Sequence, residues 1–436
     1  MVRRILDLVK PYLTDKTVSS NIAWLFLDKL VKFTMGFFVA AYLARYLGPT
    51  DYGTLNFVIA FVSLFSVIAT LGMNGIIVRD LVVFKKDSFK VLGTASVVMS
   101  ITSFTAYIAC SLVAFFYYSD EFIFSLILIY GSTLIFKTSD LFRFWQESII
   151  KSKIIVIIES LVFFLSSTLK IFLIFYEYDL LYFIIVLTLE IIVSAIAIFV
   201  SYNHNYSIRN WKYDSDYSKN LLKRSLPFFI SSLGIVIYMR IDQLMLKSYL
   251  GEYSVGIYSV GMKLSEMWYF IPTIIVSSVF PKLFKLKNEF PKEFNDKVLI
   301  LLRFLSILSI LSIIFVSIFS HEIINLIFGS EYSESASVLV IHIWTGLFVS
   351  FGLVSSNWYI ANGIEKTVMY KTIYSAIICI ILNVLFIPKY GVVGAALSTL
   401  LSQIYSNLLF ELFNKSTREL FILKINALFL LKIKTK

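Results

Sequence analysis

Residues 238–266 read YMRIDQLMLKSYLGEYSVGIYSVGMKLSE. Two apolar arms flank a short turn at 251–256, and each arm is apolar enough to enter a bilayer. Yet the stretch carries Arg240, Asp242, Lys247, Lys263 and Glu266. A charge near the bilayer centre costs roughly 3 kcal/mol or more, so such side chains face a bundle interior or a watery cavity. The stretch therefore predicts membrane helices with a polar interior. It also contains an echo of the first half of the chain.

Composition agrees. Of 436 residues, 58% are hydrophobic and 15% charged, and mean hydropathy is +0.82. A soluble domain would carry about 25% charged residues. The formal net charge is +11. The cations cluster between apolar runs, which suits topology signals and anionic phospholipid rather than nucleic acid. Cys110 and Cys379 both sit inside apolar runs, so neither a disulfide framework nor a zinc site is expected. The N-terminal MVRRILDLVKPYLTDK breaks every apolar group with a charge. It is expected to lie as a basic amphipathic segment on the inner membrane surface rather than to act as a cleaved signal.

A spanning helix needs about 20 apolar residues. Twelve runs qualify, at 21–44, 54–78, 91–117, 122–142, 154–176, 180–202, 225–248, 256–280, 298–319, 336–360, 368–387 and 391–413. Segments on the side of the N-terminus hold 29 of the 39 Lys and Arg residues, and the opposite loops hold three, Arg45, Lys247 and Lys389. By the positive-inside rule both termini are cytoplasmic. Tyrosines such as Tyr46, Tyr117, Tyr249 and Tyr390 mark the outer ends of runs, where an apolar ring with a wet hydroxyl is favoured. The expected organisation is an N-terminal six-helix bundle at 1–205, a cytoplasmic linker at 206–224, a second six-helix bundle at 225–413 and a basic cytoplasmic tail at 414–436.

An internal repeat supports two halves. Tyr46-Leu47-Gly48 is followed by Gly53, and Tyr249-Leu250-Gly251 by Gly256, at a constant offset of 203 residues. Each YLG-x4-G joins the first and second runs of its half. With an even number of runs per half, the repeats are parallel, related by an axis along the membrane normal. The glycines also suit a tight turn with positive φ.

Several motifs carry no chemistry. His321-Glu322-Ile323-Ile324-Asn325 lacks the second histidine of a zinc-protease HExxH and reads as a polar helix start. Asp214-Ser215-Asp216 sits in a loop too short for a nucleotide-sugar domain and reads as a solvated acidic patch. No GxxxxGK[ST] occurs, so the chain is not its own ATPase. GVVGAALS at 391–398 is a small-residue face suited to close helix packing. No catalytic residue, cofactor or metal is expected.

The charges inside runs differ. Asp28, Lys29 and Lys32 lie within one turn, and Asp28 and Lys32 are spaced to pair. Lys263 and Glu266 are i,i+3 neighbours. Arg240 and Asp242, two apart, point to different faces, so each needs a partner on another helix. Lys170 in the fifth run and Glu190 in the sixth lie at similar depth and are expected to pair. Lys137, Glu159 and Arg303, near inner ends, are expected to snorkel. Lys29, Lys32, Arg240 and Lys263 are expected to line a cavity, whose cationic lining would attract an anionic headgroup such as a phosphate.

Residues 45–53, RYLGPTDYG, follow a first run tinged with charge. With IDQLMLKSYLGEYSVGIYSVGMKLSE, Pro227, Pro272, Pro281 and IPKYGVVGAALST, they are similar to the Wzx-type polysaccharide flippases of the multidrug/oligosaccharidyl-lipid/polysaccharide exporter superfamily. The resemblance covers almost the whole chain. It implies an all-α polytopic fold, two six-helix bundles around a central cavity. It implies translocation of undecaprenyl-diphosphate-linked oligosaccharide, an O-antigen or capsule repeat unit, across a bacterial inner membrane by alternating access. Lys29, Lys32, Arg240 and Lys263 would then meet the diphosphate. Asp28, Asp242, Glu190 and Glu266 would be the carboxylates for ion coupling. A polysaccharide polymerase and a chain-length regulator would be partners. An ion-coupled multidrug exporter of the same superfamily is the first alternative, and a membrane polysaccharide polymerase or ligase the second. The cationic lining disfavours the first and the short outer loops the second.

Overall fold

The computed structural model describes residues 16–84, 87–364 and 366–429. The N-terminal amphipathic segment expected before residue 16 lies outside them. Among the described residues every regular element is helical, as a bilayer demands of any chain not closed into a barrel. The helices are α1 (Lys16–Thr70), α2 (Asn74–Val83), α3 (Ser88–Tyr117), α4 (Glu121–Gly131), α5 (Asp140–Ser148), α6 (Lys153–Phe175) and α7 (Leu180–Asn205). They continue with α8 (Ser215–Leu250), α9 (Glu252–Trp268), α10 (Phe270–Glu289), α11 (Pro291–Ile318), α12 (Ser320–Phe328), α13 (Ser335–His342), α14 (Thr345–Ala361), α15 (Lys366–Ile404), α16 (Phe410–Phe413) and α17 (Arg418–Leu428). A 3-10 stretch, Ser132–Ser139, joins α4 to α5, and a π turn, Tyr405–Leu409, joins α15 to α16.

Ten segments of the described residues are long and apolar enough to cross a membrane, against twelve runs in the sequence. The difference lies in two glycines. The segment Thr34–Val83 holds the end of the first run and all of the second, and Lys366–Phe413 holds the last two. Inside them the backbone leaves helical geometry at Gly48 (φ 67, ψ 173) and Gly391 (φ 58, ψ −134). Only glycine occupies this region without strain. At the repeat-related position, Gly251 has φ 82 and ψ −177, nearly the conformation of Gly48. The two YLG-x4-G segments thus share a backbone as well as a sequence.

The chain divides into two compact units, Asp15–Val236 and Ile237–Lys436. In the first, Met73, Ile77, Leu92, Ala95, Leu141 and Tyr202 form a buried core between α2, α3, α5 and α7. The loop before α8 is docked on this core. Lys212 N donates to Phe89 O at 3.2 Å, and Asp214 N donates to Thr94 Oγ1 at 3.0 Å. A Cβ at Gly93 would stand 2.6 Å from the Lys212 backbone, so glycine is required for this close approach. Asp80, 1% exposed, takes both guanidinium nitrogens of Arg224, at 2.8 and 2.9 Å, and the Tyr217 hydroxyl. Asp214 of DSD lies at the surface, partly exposed, yet it is tied into the loop. It accepts the Tyr217 N–H at 2.6 Å and pairs with Lys90 at 2.8 Å, which holds its carboxyl below the usual aspartate range.

In the second unit, Phe280, Phe294, Leu302, Phe351, Trp358 and Tyr359 build the core, and Leu420 and Leu423 of α17 complete it. Lys424, counted among the tail's topology signals, is 0% exposed. Its Nζ donates to Glu411 Oε1, Ser355 Oγ and the Asn407 carbonyl, each at 2.6 Å. The π turn supplies that carbonyl, since i→i+5 winding dislocates the local ladder. Gly352 makes room for Asn407, whose Oδ1 would lie 2.3 Å from a Cβ there. Small residues Gly394, Ala395, Ala396 and Ser398 are buried on α15, the packing role read from GVVGAALS. His321 and Glu322 lie in the first turn of α12, as a polar helix start.

Candidate functional site

The stretch that opens the sequence reading becomes the end of α8 and all of α9, packed side by side in the second unit. Asp242 faces inward and is 1% exposed. Its partner is no cation. Oδ2 accepts the Tyr258 hydroxyl at 2.6 Å and the Thr399 hydroxyl. Oδ1 accepts the Asn383 amide at 2.6 Å and faces the Cys379 thiol at 3.6 Å. Tyr258 comes from α9, and Asn383, Cys379 and Thr399 from both limbs of α15. The kink at Gly391 is what allows one helix to bring donors from two limbs to one carboxylate. Asn383 is fully buried and its Oδ1 has no hydrogen-bond partner. An orphaned buried oxygen costs about 1–3 kcal/mol. Here it stands on the residue that holds a carboxylate ringed by hydroxyls.

Next to this cage the half-buried groups gather. Lys263 and Glu266 follow one another on α9, and Arg240 comes from α8. The charges of Arg240, Lys263 and Asp242 all act on Glu266. The structure thus brings together four of the expected site residues, Arg240, Asp242, Lys263 and Glu266. It separates Asp242, sealed among neutral donors, from the more accessible trio. The side chains of Asp28, Lys29 and Lys32 lie outside the described residues.

Glu190 is elsewhere, in the first unit. Its Oε2 accepts Lys170 Nζ at 2.8 Å and the Ser166 hydroxyl. Lys170 is 5% exposed, so the expected interhelical pair is present. Two groups expected to snorkel have ion partners. Glu159 is held by Arg143, and Lys137 lies 3.8 Å from Asp140. Cys110 and Cys379 are buried free thiols.

Sequence reasoning missed Tyr258, Asn383 and Thr399 as partners of Asp242. A signal existed, because Thr399 closes the IPKYGVVGAALST segment and Asn383 follows Cys379 by one turn. It also missed Glu411 with Lys424, whose neutral surroundings give no periodic cue.

Solved structures share this multi-pass helical fold. A lipid II flippase MurJ in an inward closed conformation superposes with TM-score 0.71 at 20% identity, over 94% of this chain and 91% of that one. An inward-facing multidrug resistance MATE family transporter of the MOP superfamily superposes with TM-score 0.67 at 14% identity, over 93% and 99%. These likenesses establish the fold. Residues 18–287 match the polysaccharide biosynthesis protein family, and the chain belongs to that family. Similar relatives include the capsular polysaccharide biosynthesis protein CapF of Staphylococcus aureus, 27% identical over 49% of this chain and 56% of that protein. The probable low-salt glycan biosynthesis flippase Agl15 of Haloferax volcanii is 25% identical over 42% of this chain and 39% of its own length. The chain thus spans about half or less of these two relatives. It spans 97% of a putative O-antigen transporter of Shigella dysenteriae, at 23% identity over 89% of this chain.

Proposed function

We propose that the protein is a flippase that moves an undecaprenyl-diphosphate-linked oligosaccharide across a bacterial inner membrane by alternating access, with both termini in the cytoplasm. The observation that carries this reading is the placement of Arg240 and Lys263. Two cations stand half-buried along membrane helices, with Glu266 half-buried near them and Asp242 sealed away among hydroxyls and an amide. A planar guanidinium and an ammonium in such a place suit a diphosphate. The family, the glycan-linked names of the relatives and the flippase fold support the same substrate class. Anionic phospholipid would surround the basic segments, and a polysaccharide polymerase with its chain-length regulator would take the product.

Ion coupling rests on Asp242. Its oxygens meet the Tyr258 and Thr399 hydroxyls and the Asn383 amide in a buried place, and its hydrogen-bond partners include no cation. A proton or a monovalent cation would complete that set. Binding there would change the charge of the second unit next to the Arg240 group.

The test is transport of a fluorescent prenyl-diphosphate-linked oligosaccharide in proteoliposomes, with and without an imposed ion gradient. The expected result is gradient-driven inversion of the substrate, lost in Arg240→Ala and retained in Arg303→Ala. Equal transport by Arg240→Ala and the parent would remove Arg240 from the site. Transport of cationic dyes with no movement of the lipid-linked substrate would replace the reading with a drug exporter.

A further inference from the structure

The first unit contains a cavity of about 270 Å3 between the α4–α5 rod, α6 and α7. Its lining residues do not include Arg240, Lys263 or Glu266. The eight-residue 3-10 stretch between α4 and α5 creates it. Runs of that winding beyond 3–4 residues are uncommon, and residues three apart eclipse one another. Thr133, Phe136 and Ser139 therefore form one line, and Lys137, Asp140 and Arg143 continue the three-residue step beside it. Both lines face the cavity. Glu159 and Phe163 enter from α6 and Glu190 from α7.

The chemistry of this lining is specific. Lys137 and Arg143, with Lys170 behind them, balance Asp140, Glu159 and Glu190 one for one, so a phosphate gains nothing in net charge. The carboxylates are fixed from behind. Glu190 receives both Lys170 and Ser166 through Oε2, which leaves Oε1 for a further donor. Arg143 is anchored on Glu159 with its side chain 41% exposed. Two half-buried rings, Phe136 and Phe163, supply flat apolar walls. Alternating donors and acceptors beside aromatic faces match an uncharged polyol ring, whose hydroxyls both donate and accept while its C–H face is apolar. The volume lies just below the roughly 300 Å3 at which pockets for drug-sized ligands begin, enough for one sugar ring.

We propose that this cavity binds a neutral sugar ring of the transported glycan, apart from the diphosphate. The assignment deepens the flippase reading and rests on it. The site would select cargo by its sugar, with Asp140 and Arg143 bonding hydroxyls and Phe136 covering the ring face.

The test uses the full chain in nanodiscs with Ser194→Cys as reporter, since Ser194 lines the cavity. The parent, whose two cysteines are buried, is the blank. Maleimide labelling is followed with octyl β-glucoside or octyl phosphate present, both below their micelle-forming concentrations. The glucoside is expected to slow labelling and the phosphate is not. Asp140→Asn should weaken protection about tenfold, the loss of one charge-assisted hydrogen bond. Phe136→Leu, which keeps apolar bulk and removes the flat face, should weaken it as well. Equal protection by both headgroups would overturn the proposal, because the chain alone would then be filling the space. No protection by glucoside, or protection unchanged in both variants, would also overturn it. Prenyl diphosphate binding, measured in the same nanodiscs with Arg240→Ala as control, separates the two ideas. If it persists without glucoside protection, only the sugar site falls. If glucoside protects and the diphosphate does not bind, the sugar site stands and the flippase reading falls.

Discussion

The two units treat buried carboxylates differently. In the first unit the deep acids meet cations: Asp80 has Arg224, Glu159 has Arg143 and Glu190 has Lys170. In the second, Glu411 has Lys424, but Asp242 has only hydroxyls, an amide and a thiol. A carboxylate paired with a fixed cation is locked in charge, because losing either partner strands the other in low dielectric. A carboxylate among neutral donors can exchange a proton or a cation while its cage stays intact. We therefore propose a structural role for the pairs and a switching role for Asp242.

The largest effect should come from breaking the most enclosed pair. Lys424→Ala leaves Glu411 charged and unpaired, and should cost about 3–5 kcal/mol of stability. Folded yield by fluorescence-detected size exclusion measures it. Lys424→Leu combined with Glu411→Leu should recover much of the loss. A double variant no better than the single would show that the pair is not the unit of stability.

Asp242→Asn should do the opposite. Folded yield is expected to stay near that of the parent, since an amide still accepts from Tyr258 and Thr399. Gradient-driven transport should fall about tenfold or more, the scale of one lost charge-dependent interaction. Full retention of gradient dependence would erase the contrast between Asp242 and the paired acids.

Lys170→Ala and Glu190→Ala test the comparison at a less enclosed pair. Glu190 is 23% exposed in its side chain, so each single change should cost roughly 2 kcal/mol, below the value for a fully buried pair. The double variant should regain part of it. Losses that simply add would return Glu190 to the group of coupling carboxylates.

The smallest effect belongs to Lys90 and Asp214, which lie at the surface. The Asp214 carboxyl is held below its ordinary range, by Lys90 first. Its contribution is therefore present above the ordinary aspartate pKa and fades as pH falls through the lower folded value. Lys90→Ala should leave melting at neutral pH within error, as exposed pairs do. A clear loss would mean that the loop's docking depends on this pair rather than on Gly93 and Thr94.

The sequence made the helices legible because twelve apolar runs and the lysine and arginine asymmetry are long-range statistics that noise does not remove. The Lys170–Glu190 pair was legible from depth alone, since consecutive antiparallel runs bring equal depths together. The Asp242 cage was not, because Asn383 and Thr399 lie on opposite sides of a glycine kink more than 130 residues away in sequence. No periodicity encodes that meeting. The 3-10 stretch was hidden for another reason. Its residues read as an ordinary span, and the winding that turns Lys137 toward a cavity follows from packing. The ion partners of Lys137 and Glu159, Asp140 and Arg143, were hidden for the same reason.

The buried Lys424 has a consequence in time. During synthesis, Glu411 and the Ser355–Tyr359 end of α14 leave the ribosome before Lys424 does. Until that lysine arrives, Glu411 lacks its hydrogen-bonded cation, and the core lacks Leu420 and Leu423. The unit closes only when nearly all of the described chain has been made. A chain broken before residue 424 would lack both that ion pair and the last core side chains.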